Sequence, residues 1–273
     1  MELLFSEVAP SEHLSSIIKT FFILKYQGAN VRKDYLLPNG TPSFFLMKSK
    51  FGMRVRFHEN GAVTKVSEGI HIGYNSTLIQ LEHRQIHVVG ASLYPVYLTL
   101  LFGVSPKKLM NSFMDVSHIK GLNPHKWSFK NDDFTDEQCI VNMERFISEK
   151  LQKNTFREDF DLMYRKLTEP DGYRLTVGDL AEMLDYSQRY LSTLFQKYLG
   201  TSPKQFLKLV RFNQALKLMD EMKADDGFSS IAYELGYHDQ AHFIRDFKSI
   251  CGKTPGELSS QPDSLAAKFR YYK

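Results

Sequence analysis

The chain has 273 residues, 42% of them hydrophobic and 24% charged, with a formal net charge of +4. That length exceeds one ordinary compact domain, and the balance of apolar and charged residues excludes a disordered chain, which needs fewer apolar residues and more net charge. Two isolated cysteines, Cys139 and Cys251, exclude a disulfide framework or a cysteine zinc site and fit a reducing cytosol.

The first residues, MELLFSEVAP, lack the basic start and apolar core of a signal peptide. The longest apolar stretch, near Tyr94 to Val104, is too short to span a bilayer. A cytoplasmic protein without membrane contact is therefore expected.

Residues 1 to about 90 read as strands. IIKTFFILKY (17–26), SFFLMK (43–48), MRVRFH (53–58), STLIQL (76–81) and QIHVVGASL (85–93) are β-branched or aromatic runs. Turns are expected at Pro38-Asn39-Gly40, Glu59-Asn60-Gly61 and Gly73-Tyr74-Asn75. Short strands at this spacing predict an antiparallel barrel or sandwich. Residues 94–115 read as helix, interrupted near Gly103-Val104-Ser105-Pro106. Residues 117–133, with Gly121, Asn123 and Pro124, read as a connection. A helix follows over 136–152, capped by Thr135, with Ile140, Met143, Phe146, Ile147 and Leu151 on one stripe. That stripe either faces its own core or pairs two copies of the chain.

From Phe156 onward the pattern is helical throughout, and the last third repeats itself. DLAEMLDYSQRYLSTLFQKYLGTSPKQF (179–206) matches SIAYELGYHDQAHFIRDFKSICGKTPGEL (230–258). Ala181 aligns with Ala232 and Tyr186 with Tyr237, and one residue further along Phe195 aligns with Phe247, Gly200 with Gly252 and Pro203 with Pro255. Each half reads helix, tight turn, helix. Ser187 caps the longer helix of the first half, and Gly200 ends it as a left-handed residue would. Ser202-Pro203 with Gln205, and Thr254-Pro255 with Glu257, restart a helix with a capping box and proline in its first turn.

The polar faces of the two longer helices supply the chemistry. Gln188, Arg189, Ser192, Thr193, Gln196 and Lys197 share one face, and none is acidic. Gln240, His242, Arg245, Lys248 and Ser249 point outward on the other. Such side chains read base edges and phosphates in a major groove, and Arg245 suits a bidentate pair with guanine. From Thr155 to the end the chain carries 17 basic and 17 acidic residues, so placement matters more than total charge. Between Asp185 and Asp220 no acidic residue occurs, while Arg189, Lys197, Lys204, Lys208, Arg211 and Lys217 form a basic strip able to neutralise phosphates. Taken alone such a run is an ordinary solvated helix face; beside the duplicated motif it points to DNA.

These residues resemble the DNA-binding domain of the AraC/XylS family of transcription regulators. GYHDQAHFIRDFKSICGKTPGEL (236–258) carries the family's glycine-aromatic turn, Phe-x-Arg-x-Phe-Lys core and Gly-x-Thr-Pro ending. YSQRYLSTLFQKYLGTSPKQF and the connecting helix VRFNQALKLM (210–219) match the first unit. The resemblance covers about residues 160–260. It implies two helix-turn-helix units joined by one helix, entering successive major grooves about 34 Å apart. By position it assigns base reading to Arg189, Ser192 and Thr193, and to Gln240, His242 and Arg245. Asp185 stands where the family's first turn often has glycine, and the short Thr193 suggests that the first unit mainly positions the protein. Residues 88–116 resemble, more weakly, a subgroup with a poorly understood sensing domain.

Other chemistry is less favoured. His58, His71, His83 and His87 lie in the β-rich part, but the H-x-H then Glu pattern of metal-binding cupin barrels is missing, so no metal or other cofactor is expected. Arg54, Arg56 and His58 share one strand face; turned inward they would hold an anionic ligand, turned outward they are surface. Related DNA-binding domains occur on alkyl-transfer repair enzymes, but that chemistry needs a reactive cysteine cluster, which is absent, so no enzyme is expected.

The expectation is an α+β chain. Residues 1–155 form an antiparallel β-rich barrel or sandwich with helices, for effector sensing or dimerisation. Residues 156–262 form the all-α double helix-turn-helix domain, and 263–273 a tail. Expected partners are promoter DNA, RNA polymerase, a small-molecule effector and a second copy. The alternative is a ligand-independent regulator whose N-terminal domain only dimerises.

Overall fold

The computed structural model describes residues 3–58, 61–119, 135–151, 158–221 and 227–260. The expected connection around Gly121, Asn123 and Pro124, the expected boundary at 155/156, residues Glu59 and Asn60 and the tail 263–273 lie outside the described residues.

Among the described residues the N-terminal part holds one antiparallel sheet of eight strands: β1 (Leu4–Val8), β2 (Ile18–Leu36), β3 (Ser43–Lys48), β4 (Met53–Phe57), β5 (Val63–Val66), β6 (Gly69–Tyr74), β7 (Ile79–Leu93) and β8 (Ser112–Asp115). The order runs β1-β2-β7-β3-β6-β8, with β4 pairing β7 and β5. The 15-residue β7 organises the sheet: it pairs with β2 along its length, with β4 through Ile79 to Glu82 and with β3 through His87 to Ser92.

Alternation along the strands fills both sides of the sheet. Phe45 and Met47 of β3 join Phe22, Leu24, Met53, Val55, Leu81 and Val88 in one core. Phe44 and Leu46, one position over, join Phe21, Val89, Ala91 and Leu93 in another, which is covered by helices. These are α1 (Leu98–Phe102), α2 (Pro106–Leu109), α3 (Asp136–Leu151) and α4 (Glu158–Thr168). Thr135 and Gln138 form the reciprocal cap that starts α3. Its stripe of Ile140, Met143, Phe146 and Ile147 is buried in this core, and Phe146 packs on Phe44 and Phe102 with ring centroids 5.7 and 5.9 Å away. The stripe is thus spent on the chain's own sheet.

Several strand expectations need correction. The runs 76–81 and 85–93 are one strand, because the intervening Glu82 to Arg84 keep pairing with β2. The expected turn at Gly73-Tyr74 is the end of β6, where Tyr74 is buried. The helix expected to reach residue 115 stops at Leu109. Asn111 then adopts φ 53, and Ser112 to Asp115 pair with β6.

The C-terminal part is helical: α5 (Val177–Met183), α6 (Gln188–Leu199), α7 (Pro203–Glu221), α8 (Phe228–Glu234), α9 (Gln240–Cys251) and α10 (Pro255–Ser259). Ser187 accepts from the Tyr190 amide, and Gly200 and Gly252 end α6 and α9 at φ 70 and 69. Both expected capping boxes form, on Ser202 with Gln205 and on Thr254 with Glu257. Thr176 and Asp179 add a third, at the start of α5. Phe212, Phe243 and Phe247 are each no more than 3% exposed, and burial of one such ring is worth about 1.5–3 kcal/mol.

The two parts share their cores. Leu191, Leu194, Phe195 and Leu199 of α6 belong to the sheet-and-helix core, and Leu37 and Leu78 of the sheet belong to the core of the second helical unit. The Leu78 amide donates to the carbonyl of Ile250, and the Lys253 ammonium lies 4.0 Å from the Tyr35 ring centroid.

Candidate nucleic-acid interface

Burial sorts α6 and α9 into two faces each, as their sequence periodicity predicts. On α6, Leu191, Leu194, Phe195 and Leu199 are buried, Gln188, Arg189, Thr193, Gln196 and Lys197 are exposed, and Ser192 is half-buried. On α9, Phe243, Phe247 and Cys251 are buried, while Gln240, His242, Arg245, Lys248 and Ser249 are exposed. Lys204, in the first turn of α7, is exposed as well. The structure therefore brings the candidate DNA-contacting residues to the surface of two equivalent helices.

Several of them already have partners. Ser192 and Thr193 return their hydroxyls to the carbonyls of Gln188 and Arg189, a back-bond that leaves each oxygen able to accept. Gln240 Oε1 accepts from Ser229 Oγ at 2.8 Å. His242 stacks edge-on against Tyr237, at 5.1 Å between ring centroids. Its amide donates to Asp239, the N-cap of α9, and that bond holds the Asp239 carboxyl below its ordinary range.

The basic strip divides. Arg189, Lys197 and Lys204 face solvent. Lys208 is paired at 2.8 Å with Asp246 of α9, and Arg211 donates to the carbonyl of Tyr173. These two are spent on tying α7 to the second unit and to Tyr173. Asp246 is 38 residues from its partner, and no local sequence pattern marks it.

The turns inside the two units correspond in conformation. Asp185 adopts φ 52, and Gly236, 51 positions on, adopts φ 75. Asp185 is thus a left-handed non-glycine residue, exposed at the turn.

In the sheet, Arg54, Arg56 and His58 are exposed, whereas Val55 and Phe57 between them are buried. The row faces outward, so an inward anion pocket from these three residues does not form. His58 instead abuts Gly252 at the end of α9. The other histidines have close partners: His83 Nε2 lies 2.8 Å from Asp34, His87 Nε2 2.7 Å from Asp136, and His71 Nε2 2.8 Å from the Ser67 carbonyl. Among the described residues no group of three or more His, Cys, Asp or Glu is placed to hold a metal ion. Both cysteines are buried, and burial raises their thiols, that of Cys251 to about 11, the opposite of an activated nucleophile. No helix among the described residues is long and apolar enough to cross a membrane.

Residues 180–261 match a helix-turn-helix domain model and residues 6–115 a domain of unknown function. The raffinose operon transcriptional regulatory protein RafR of Pediococcus pentosaceus is 33% identical over 224 residues, covering 81% of this chain and 73% of that protein. The uncharacterized HTH-type transcriptional regulator YtdP of Bacillus subtilis is 34% identical over 91 residues, 33% of this chain and only 12% of its own length. Among solved structures, an apo ToxT variant from Vibrio cholerae aligns over 87% of this chain and 96% of its own, with 12% identity and a TM-score of 0.48. Two capped helix-turn-helix units beside an antiparallel sheet define a DNA-binding transcription regulator. The chain belongs to the AraC/XylS family of such regulators.

Proposed function

We propose that the chain binds promoter DNA by laying α6 and α9 into successive major grooves on one side of the duplex. Gln188, Arg189, Ser192, Thr193, Gln196 and Lys197 meet the first groove, and Gln240, His242, Arg245 and Lys248 the second. Lys204 contacts phosphate. The observation that carries this reading is the paired exposure of two polar, acid-poor helix faces whose apolar sides are both buried. A signal received by the N-terminal part, residues 1–155, modulates binding by residues 156–262. The supporting observation is that the sheet shares a core with each helical unit.

In this reading the chain acts in the cytoplasm with RNA polymerase and a second copy of itself as partners, and is not an enzyme. Titration of the full chain with promoter and random fragments at several salt concentrations tests it. Specific binding tighter than random binding, with a negative slope of log affinity against log salt, is expected. Equal affinity for all fragments would refute sequence recognition.

A further inference from the structure

A cavity of about 90 Å³ lies where β2, the following turn, α4 and α7 meet. Lys19 of β2 and Asn39 and Thr41 of the turn line one side; Asn213, Gln214 and Lys217 of α7 line another. Tyr164, Phe206 and neighbouring apolar side chains complete the wall. By the volume a water-sized group needs, there is room for roughly six of them, enough for the charged end of a ligand whose remainder lies outside the cavity.

Among the described residues the two lysines of this cavity have no carboxylate paired with them. Lys19 is half-buried as a residue, but its ammonium sits deep among protein atoms, 3.3 Å from Thr41 Oγ1 and 5.2 and 5.4 Å from the ring centroids of Tyr94 and Tyr164. Burial, then the charges of Arg165 and Lys217, lower it to about 8. Neither Lys19 nor Lys217 has an ion-pair partner among the described residues. Arg165 is already paired with Asp161, and the rim carboxylate Glu169 with Lys166. An enclosed cation such as Lys19 without a counter-charge is costly, and an anion between the two lysines would relieve it and offset the repulsion from Lys217. The amides beside them are suited to hydroxyl groups: among the described residues the Gln214 side chain has no hydrogen-bond partner, and the Asn213 side chain uses only its Nδ2, toward the Leu209 carbonyl.

The geometry points to a binding site for a small hydroxylated anion, a sugar acid or sugar phosphate, held between Lys19 and Lys217. Such a ligand would couple β2 to α7, the helix that joins the two DNA-contacting units. That consequence rests on the function proposed above; the binding itself is measured without DNA.

The test is thermal denaturation and calorimetric titration of the full chain with sodium gluconate, glucose 6-phosphate, inorganic phosphate, glucose and sodium decanoate, against sodium chloride at matched ionic strength. Gluconate or glucose 6-phosphate raising the Tm above the chloride control is expected, and whichever does so separates carboxylate from phosphate. Lys217→Gln, at a half-buried position of α7, and Lys19→Met each weaken that ligand about tenfold or more. With Lys19 lowered to about 8, anion binding should take up more proton at about pH 9 than at about pH 6.5. Glucose acting as well as the anions overturns the proposal. So does inorganic phosphate or decanoate outperforming both hydroxylated anions, or a shift equal to that of chloride, an adventitious ion only. Undiminished binding by Lys217→Gln removes the site assignment even if Lys19→Met fails to fold.

Discussion

His58 and Gly252 touch across the join between sheet and second helical unit: a Cβ added to Gly252 would lie 1.9 Å from His58 Nε2. The corresponding glycine of the first unit, Gly200, is placed alike, its added Cβ 2.7 Å from the backbone nitrogen of Lys107 in α2. The N-terminal part thus meets both repeats at the same landmark, the left-handed residue that closes the longer helix.

Three alanine substitutions should rank by what surrounds them. Gly236→Ala meets open space, so it bears only the left-handed backbone cost of about 1–2 kcal/mol. Gly252→Ala adds displacement of the His58 ring. Gly200→Ala adds a clash with α2 backbone that no rotamer relieves, and should lose about 2–4 kcal/mol in all. Urea denaturation of the three variants checks the order, and Gly200→Ala proving the mildest would contradict the seating described above.

Asp185→Gly should act in the opposite direction. It removes a non-glycine residue at φ 52 and gives the first turn the residue found at Gly236. A gain of about 0.5–1 kcal/mol is expected, with stronger DNA binding because an exposed negative charge is lost. Thermal denaturation and a salt-controlled DNA titration measure the two effects separately.

Arg245 and Lys204 should separate by kind of loss. Arg245→Ala is expected to reduce discrimination between promoter and random DNA by about 1–3 kcal/mol. Lys204→Ala should weaken all DNA alike and reduce the salt slope by about one. Equal loss on both fragments for Arg245→Ala would disprove base reading by that side chain.

Stability should decline from neutral toward mildly acidic pH. Burial pushes the His71 imidazole below its ordinary value despite its bond to the Ser67 carbonyl and the nearby Asp115 charge; burial does the same to His87 despite Asp136. A folded-state value below the unfolded one means that the unfolded chain binds protons first. The stabilising contribution is therefore complete above about pH 6.5 and is lost as pH falls through the lower folded value. A drop of a few degrees in Tm between about pH 7.5 and about pH 5.5 is expected, partly abolished in His71→Gln. Asp34 behaves as a carboxylate held low: burial raises it, but hydrogen bonds from His83 and Arg32 outweigh that, so its share is lost only below about pH 4.

The helical third was legible because its instructions are local. Ser187, Ser202 with Gln205, Thr254 with Glu257, and the glycines at 200 and 252 each act within one turn of helix. The sheet was legible only in part. Leu4 to Val8 is mostly exposed, so alternation could not reveal β1, and Ser112 to Asp115 is a strand only because β6 lies beside it. The inward or outward sense of Arg54, Arg56 and His58 depends on which neighbour is buried. The cavity around Lys19 joins residues nearly 200 positions apart (Lys19 and Lys217), a relation no spacing rule reaches.

The paired glycine seats have a consequence for the operator. In the proposed reading each DNA-contacting helix ends against a fixed point of the N-terminal part, Pro106–Lys107 of α2 for one and His58 beside β4 for the other. On that reading the two seats act as a ruler, and the protein carries its own pitch to the DNA. A binding site with one base pair added or removed between its halves must twist or bend the duplex to fit, so spacing, as much as base identity, should govern which sites are occupied.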